Sequence, residues 1–245
     1  MDPLSDVETL ETELLYADLE QAERRLERVA KQAKAGAKEH EAEERWLREV
    51  VDALQAGRAV RTVAPPEGAP GAATRLSALT SKPVLYVANV AEGAALEPPA
   101  ELVPYAEARG ARATAVSARL EAELAGLEED EAAAMRAELE LRESGLATVI
   151  REAFALLHLI SFFTAGQGKE ARARAIERGT RARRAAGAVH TDMERGFVAA
   201  EVTYWEDLVR AGGYTAAREQ ALSRVEGRDY ELRDGDVVTF RFTPA

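Results

Sequence analysis

Cysteine is absent from all 245 residues, which excludes disulfides, thiolate metal sites and cysteine nucleophiles. Histidine is scarce: His40, His158 and His190 lie far apart and match no metal-ligand spacing such as His-Glu-x-x-His. No Gly-x-Ser-x-Gly nucleophile elbow occurs. The longest apolar run, Phe154 to Phe163, is about half of the ~20 residues that cross a bilayer. The first residues show neither the basic segment nor the apolar core of a secretion signal. These absences leave a soluble, globular chain compatible with a cytoplasmic location, with no membrane partner, no catalytic residue and no metal site to assign.

What is present is 47% hydrophobic and 31% charged residues, enough for a sizeable core in one large or two to three small domains. A net charge of −11 argues against whole-surface attraction to nucleic acid and predicts no DNA specificity. The charge is uneven, however. Between Lys169 and Arg195 stand Arg172, Arg174, Arg178, Arg181, Arg183 and Arg184, against few acids. Such a stretch is either a solvated helix face or a contact for RNA phosphates or an acidic protein.

Ser5 to Glu8 has the pattern of a capping box. After it, Leu15, Leu19, Ala22, Leu26, Val29 and Ala33 recur at intervals of four and three, the stripe of a coiled-coil-like helix. A second helix, about Lys38 to Gln55, carries Leu47, Val50, Val51 and Leu54 on one side and ends before Gly57, so the two are expected to fold as an antiparallel hairpin. Ala64 to Gly71 is rich in proline and glycine and predicts a linker. Then the period changes: Pro83–Ala88 and Ala113–Val116 read as strands, with helices from Ala100 to Ala108 and from Leu120, a parallel βαβ pattern. Helices follow over about Glu128–Glu140 and from Leu146 into Ser161. The remaining chain predicts strands at Glu170–Ile176, Phe197–Tyr204 and Asp236–Phe242, with helices at Arg181–Ala188 and Trp205–Arg210: a small mixed α/β module. His40 is expected to be solvated and His158 to sit in a core or interface, and Trp46 and Trp205 read as packing anchors.

In the tetrad Asn89-Val-Ala-Glu92 and the run His190-Thr-Asp-Met-Glu-Arg-Gly-Phe197, the chain resembles the YchF family of Obg-like, translation-associated P-loop ATPases. Further matches in order are Asp2-Pro3, Ser81-Lys82-Pro83, Phe163-Thr-Ala-Gly166, Gly179-Thr180, Ala199-Ala-Glu-Val202 and Asp234-Gly-Asp236. The resemblance implies an α/β fold in three parts. Residues 1–63 would be a helical coiled-coil hairpin, 64–160 part of a parallel-sheet G-domain with connecting helices, and 161–245 a ubiquitin-like β-grasp (TGS) domain. The family's glycine-rich phosphate loop ending in Gly-Lys-Ser, its switch segments and its Asp-x-x-Gly motif do not occur here. Met1 stands where the family has an aliphatic residue before Asp-Pro, so the chain is expected to be a fragment or to start internally. Its half G-domain, about Leu76 to Leu127, is expected to be the least stable part.

In the family, ATP with magnesium is the cofactor, and the resemblance implies that Asn89, Val90, Glu92, Ser117 and Ala118 lie at the adenine. Asn89 could donate to one purine edge atom and accept from another, as asparagine does with adenine. Glu92 and Val90 replace the aspartate and lysine of the guanine-reading Asn-Lys-x-Asp pattern, which favours ATP over GTP. Without phosphate contacts, tight binding of ATP by this chain is not expected; taken without the resemblance, a helix-capping or turn role for Asn89 is the plainer alternative. For the last domain the resemblance implies contact with ribosome or RNA, through Arg172, Arg174, Arg181, Arg183, Arg184, His190 and Asp192. A catalytic His190–Asp192 pair is the weaker reading. Arg174, Arg183 and Met193 depart from the family's tryptophan, proline and aromatic residue, which raises the local positive charge. The alternative to part of an ATPase is a stand-alone, non-enzymatic ribosome-, RNA- or protein-binding module.

Overall fold

The computed structural model describes residues 2–34, 38–91, 96–165 and 170–243, in two compact units, Met1–Glu152 and Ala153–Ala245. The first unit opens with α1 (Pro3–Ala33) and α2 (Lys38–Gln55). Its cap is not Ser5. The Asp2 carboxylate accepts from the N–H groups of Leu4 at 3.2 Å and Ser5 at 3.3 Å, and Pro3 sits at the first helical position, where a missing N–H costs nothing. Ala22 and Val29 of the α1 stripe are buried against Trp46, Leu47 and Val50 of α2, with Leu15, Leu19 and Leu26 partly buried beside them.

Two polar clusters tie α1 to the segment after α2. Glu43, 1% exposed, receives Arg25 at 2.6 Å and Arg75 at 2.7 Å. Burial alone would raise its pKa, but the Arg75 and Arg25 hydrogen bonds outweigh that and hold the carboxyl below the usual carboxylate range. Asp18, also 1% exposed, accepts from the N–H of Leu79 at 2.8 Å and of Thr80 at 2.7 Å. These two N–H groups open the 3-10 turn Leu79–Ser81. The Thr80 hydroxyl in turn accepts from Val60 N–H at 3.0 Å, in the 3-10 turn Val60–Thr62. Between these turns lies α3 (Ala72–Leu76).

Next come β1 (Leu85–Asn89), α4 (Leu102–Glu107) and β2 (Arg112–Val116). The strands pair in parallel from Leu85 opposite Arg112 to Asn89 opposite Val116, which is the βαβ unit the sequence pattern predicts. Val84 C=O accepts from Arg112 and Val90 N–H donates to Val116 C=O, so by strand alternation the peptide groups of Leu85, Val87 and Asn89 face the other edge. No strand pairs there among the described residues. The short helices α5 (Ala118–Leu124) and α6 (Glu129–Glu138) follow, then α7 (Gly145–Leu156).

In the second unit α7 does not run into Ser161. The chain turns at His158, φ 52°, and Leu159–Thr164 forms β3, a strand the sequence pattern did not reveal. His158 is exposed, not in a core. The unit continues with β4 (Arg172–Glu177), α8 (Ala182–Val189), α9 (Thr191–Arg195), β5 (Phe197–Tyr204), α10 (Trp205–Ala211), α11 (Tyr214–Glu219), β6 (Arg224–Glu226) and β7 (Asp236–Phe242). The sheet order is β4-β3-β7-β5-β6, with β3 parallel to β7 and the other neighbours antiparallel. Ala182 and Ala185 of α8 are fully buried against Ile160, Phe162, Val202 and Val238. Small side chains there let the helix lie close on the sheet.

Glu201 of β5 is 7% exposed and is held by Arg218 of α11 and, at 2.9 Å, by Arg241 of β7. The Arg218 hydrogen bond outweighs burial, and with Arg241 it holds the carboxyl below the usual range. A depressed folded pKa gives stability that is present above the unfolded value and lost as pH falls through the folded one. The urea midpoint of this unit is therefore expected to fall as pH drops below 4.5. Glu201→Gln should cost about 1 kcal/mol at pH 7, because both arginines are half exposed and solvent screens them, and should flatten that pH dependence. An unchanged acid limb in the variant would refute the assignment.

Candidate functional site

Pairing of β1 with β2 brings their carboxyl ends together, and with them Asn89, Val90, Ser117 and Ala118. Asn89 Oδ1 accepts from Ala118 N–H at 3.1 Å, and Val90 N–H donates to Val116 C=O at 2.9 Å. Ser117 is the cap of α5, its hydroxyl accepting from Leu120 N–H at 3.4 Å. The side-chain oxygen of Asn89 is thus committed to joining the two loops, and only its NH₂ remains to donate to a ligand. This narrows the expectation of a two-way edge contact. Glu92 lies outside the described residues.

Asn89 and Val90 border a cavity of about 1050 Å³ lined also by Leu10, Leu14, Tyr86 and Leu79, the size and apolar character of a ligand pocket. Sequence patterns gave no sign of the polar cluster at its wall, to which Glu11, Tyr86 and Arg109 contribute. The Glu11 carboxylate accepts from the hydroxyls of Tyr86 and, at 2.6 Å, Tyr105, while Arg109 stands 3.3 Å from Glu11 and 3.6 Å over the Tyr105 ring. Burial, and then the carboxylate, push the Tyr105 phenol up to about 12 and the Tyr86 phenol higher still. Both phenols therefore stay protonated at neutral pH, with their O–H groups committed to Glu11 and not to proton transfer. Glu11 sits in the polar part of an amphipathic helix and Tyr86 in an apolar strand, so neither stands out until the fold joins them. Among the described residues no group of His, Asp and Glu could hold a metal ion.

The arginines singled out in the second unit are mostly engaged by the protein itself. Arg172 pairs with Glu170 at 3.0 Å and Arg181 with Asp229 at 3.1 Å. Arg174 donates to Ala188 C=O at 3.0 Å, capping the end of α8, and Arg183 donates to Glu194 C=O at 3.2 Å. Arg184 is exposed. Arg174, Arg183, His190 and Asp192 gather near the α8–α9 junction, with Arg181 at the other end of α8. His190 Nδ1 accepts from Asp192 N–H at 3.2 Å, so the imidazole caps α9, and this capping contact supplies no proton relay.

A family profile named YchF-GTPase_C, described as a protein of unknown function (DUF933), matches residues 159–243. The curated "Ribosome-binding ATPase YchF" of Bacillus subtilis is 39% identical over 247 residues, 99% of this chain and 67% of that protein. Its namesake in Haemophilus influenzae is 39% identical over 244 residues, with the same coverage. The solved structure of the Schizosaccharomyces pombe YchF GTPase superposes with a TM-score of 0.76 at 28% identity, over 98% of this chain and 66% of that one. The chain thus spans about two thirds of the length of the relatives it matches.

Proposed function

We propose, from the premise that this chain belongs to the YchF family, that it corresponds to the base-recognising and ribosome-contacting part of a translation-associated, cytoplasmic ATP-binding protein. The observation that carries this is 39% identity across 99% of the chain to a ribosome-binding ATPase. The bond from Ala118 N–H to Asn89 supports the two loops acting as one base-side platform. The sheet order β4-β3-β7-β5-β6 with α8 packed on it is that of a ubiquitin-like β-grasp, which supports a TGS domain over 161–245. Residues 1–63 are assigned to the helical hairpin, and 64–160 to part of a G-domain. Magnesium-bound phosphates are what the family's phosphate loop handles; no Gly-Lys-Ser run occurs in these 245 residues, and no hydrolytic step is assigned to them.

The lack of a Gly-Lys-Ser run in these 245 residues favours, as second reading, a ribosome-binding module without nucleotide turnover. Co-sedimentation with purified ribosomes, beside isothermal titration with ATP-Mg, decides between the two. Pelleting with ribosomes is expected, together with ATP binding no tighter than about millimolar, an affinity equivalent to about 4 kcal/mol. Tight ATP binding would restore the nucleotide to this chain and displace the second reading. Failure to pellet at low salt would refute the ribosome assignment.

A further inference from the structure

We propose that the short antiparallel ribbon of Thr180–Ala182 with Tyr230–Leu232, together with the turns that flank it, is a track for the phosphodiester backbone of single-stranded RNA, engaged by Arg178, Arg228 and Arg233. The inference rests on the ribosome-binding reading and narrows it to RNA phosphates. The register is fixed by Leu232 N–H donating to Thr180 C=O at 3.1 Å, Ala182 N–H to Tyr230 C=O at 2.7 Å, and the bridge between Arg181 and Glu231. Arg178 lies at one end with Arg233 and Asp234, around the same concavity, and Arg228 lies at the other, its C=O accepting from Arg183 N–H at 3.4 Å. A residue pair that is some 50 positions apart in sequence thereby becomes one basic strip.

Arg178, Arg228 and Arg233 are exposed. Among the described residues their guanidinium groups have no ion pair or side-chain hydrogen bond, unlike Arg172, Arg174, Arg181 and Arg183. Free guanidinium forks match phosphate oxygens two at a time. Arg178 and Arg233 line a concavity of about 510 Å³ whose floor is Gly179, Tyr230 and Leu232. Nothing lies within 4 Å of where a Gly179 side chain would project, so the backbone there is open to a ligand.

A protein partner would want exposed apolar or aromatic anchors at the centre of its contact. Here Leu232 is 3% exposed and the Tyr230 hydroxyl is committed to Asp236 at 2.8 Å, so the floor offers none. Three carboxylates between residues 228 and 234 oppose a phosphate. Asp229 is paired with Arg181 at 3.1 Å. Asp234 is occupied, accepting from Ser161 N–H at 2.7 Å, whereas Glu231 has no partner among the described residues.

The test is fluorescence anisotropy of a labelled oligouridylate of about 12 nucleotides from about 50 to 200 mM salt, with ribosome co-sedimentation run in parallel. The R178Q/R228Q/R233Q variant is expected to lose at least tenfold in affinity at low salt. Its log K against log salt should be shallower by about 2, near 0.7 for each lost contact. The R178K/R228K/R233K variant should keep the wild-type slope, R210Q, which removes an arginine paired with Asp207 at 2.6 Å, should leave it within about 0.5, and E231Q should tighten binding a few-fold. Wild-type protein that ignores the oligonucleotide, or a triple glutamine variant with an unchanged slope, overturns the proposal. If ribosomes are still bound in that event, the ribosome reading survives and the contact is made through ribosomal protein. If RNA binds through the ribbon but ribosomes do not, the track stands and the ribosome reading falls.

Discussion

Asp18→Ala is expected to destabilise the Met1–Glu152 unit by about 3–5 kcal/mol. The carboxylate is 1% exposed and is the acceptor for two N–H groups, of Leu79 and Thr80. Removing it takes a charged acceptor from the buried Thr80 N–H and from the part-buried Leu79 N–H, and a hydrogen bond to a charged group is worth about 1.5–3 kcal/mol. The change also strips a negative charge from the start of the Leu79–Ser81 turn, where the free N–H groups favour one. Loosening Thr80 then weakens its bond to Val60, so the damage spreads to both 3-10 turns. Asp18→Asn keeps one acceptor but turns its NH₂ toward a second donor, and should recover less than half of the loss. Urea denaturation followed by buried Trp46, in a Trp205→Phe background, reads this unit alone. A loss below about 1 kcal/mol, the worth of a single ordinary hydrogen bond, would show that water replaces the carboxylate and would refute the argument.

Gly235→Ala should cost the Ala153–Ala245 unit about 2–4 kcal/mol, from two separate causes. Gly235 has φ +86°, where an alanine is strained by roughly 1 kcal/mol. A Cβ there would also lie 2.6 Å from Trp205 Cδ1 and 2.7 Å from Tyr204 Cε2, an overlap of the sort that costs about 1–3 kcal/mol. The backbone cannot step aside readily, since Gly235 donates to Ser161 C=O at 2.9 Å and accepts from Trp205 N–H at 3.0 Å. Gly212→Ala separates the causes. Gly212 has φ +81° with nothing within 4 Å, so it should lose only the strain. Denaturation followed by Trp205 in a Trp46→Phe background measures both variants, and equal losses would remove the clash from the explanation.

Much of this architecture was legible in the residues because period and punctuation agreed. Asp236–Phe242 alternates after the Asp234-Gly235 turn, Phe197–Tyr204 is a largely apolar run that follows Gly196, and both are strands over those residues. The α1 stripe was readable because its apolar residues recur at helical spacing. What escaped was β3. Phe154 to Phe163 is continuously apolar, so periodicity cannot divide a helix from a strand within it, and the break comes at a histidine in the left-handed region. The Ser5 cap was a plausible pattern displaced by a better one, since Asp2 precedes a proline that fits the first turn. Within the sites, Asn89 and Ser117 were visible as strand-end residues. Glu11, Tyr86 and Tyr105 were not, because each is ordinary in its own element and informative only once the elements meet. The arginines were counted along the sequence, whereas the fold sorts them by partner: those in the dense run are largely engaged, and Arg228 and Arg233 arrive from a distant segment.

Because no strand among the described residues pairs with the free side of β1, the protein is expected to self-associate as it is concentrated. Peptide groups of Leu85, Val87 and Asn89 are without a strand partner among the described residues, with Val87 43% exposed, and such a row is a template on which a second extended chain can pair. Self-association through it grows with the square of concentration while folding does not, so dilution and not cooling is the way to keep the protein monodisperse. Light scattering that rises with concentration, and is suppressed by a lysine at position 87, would mark that edge as the origin.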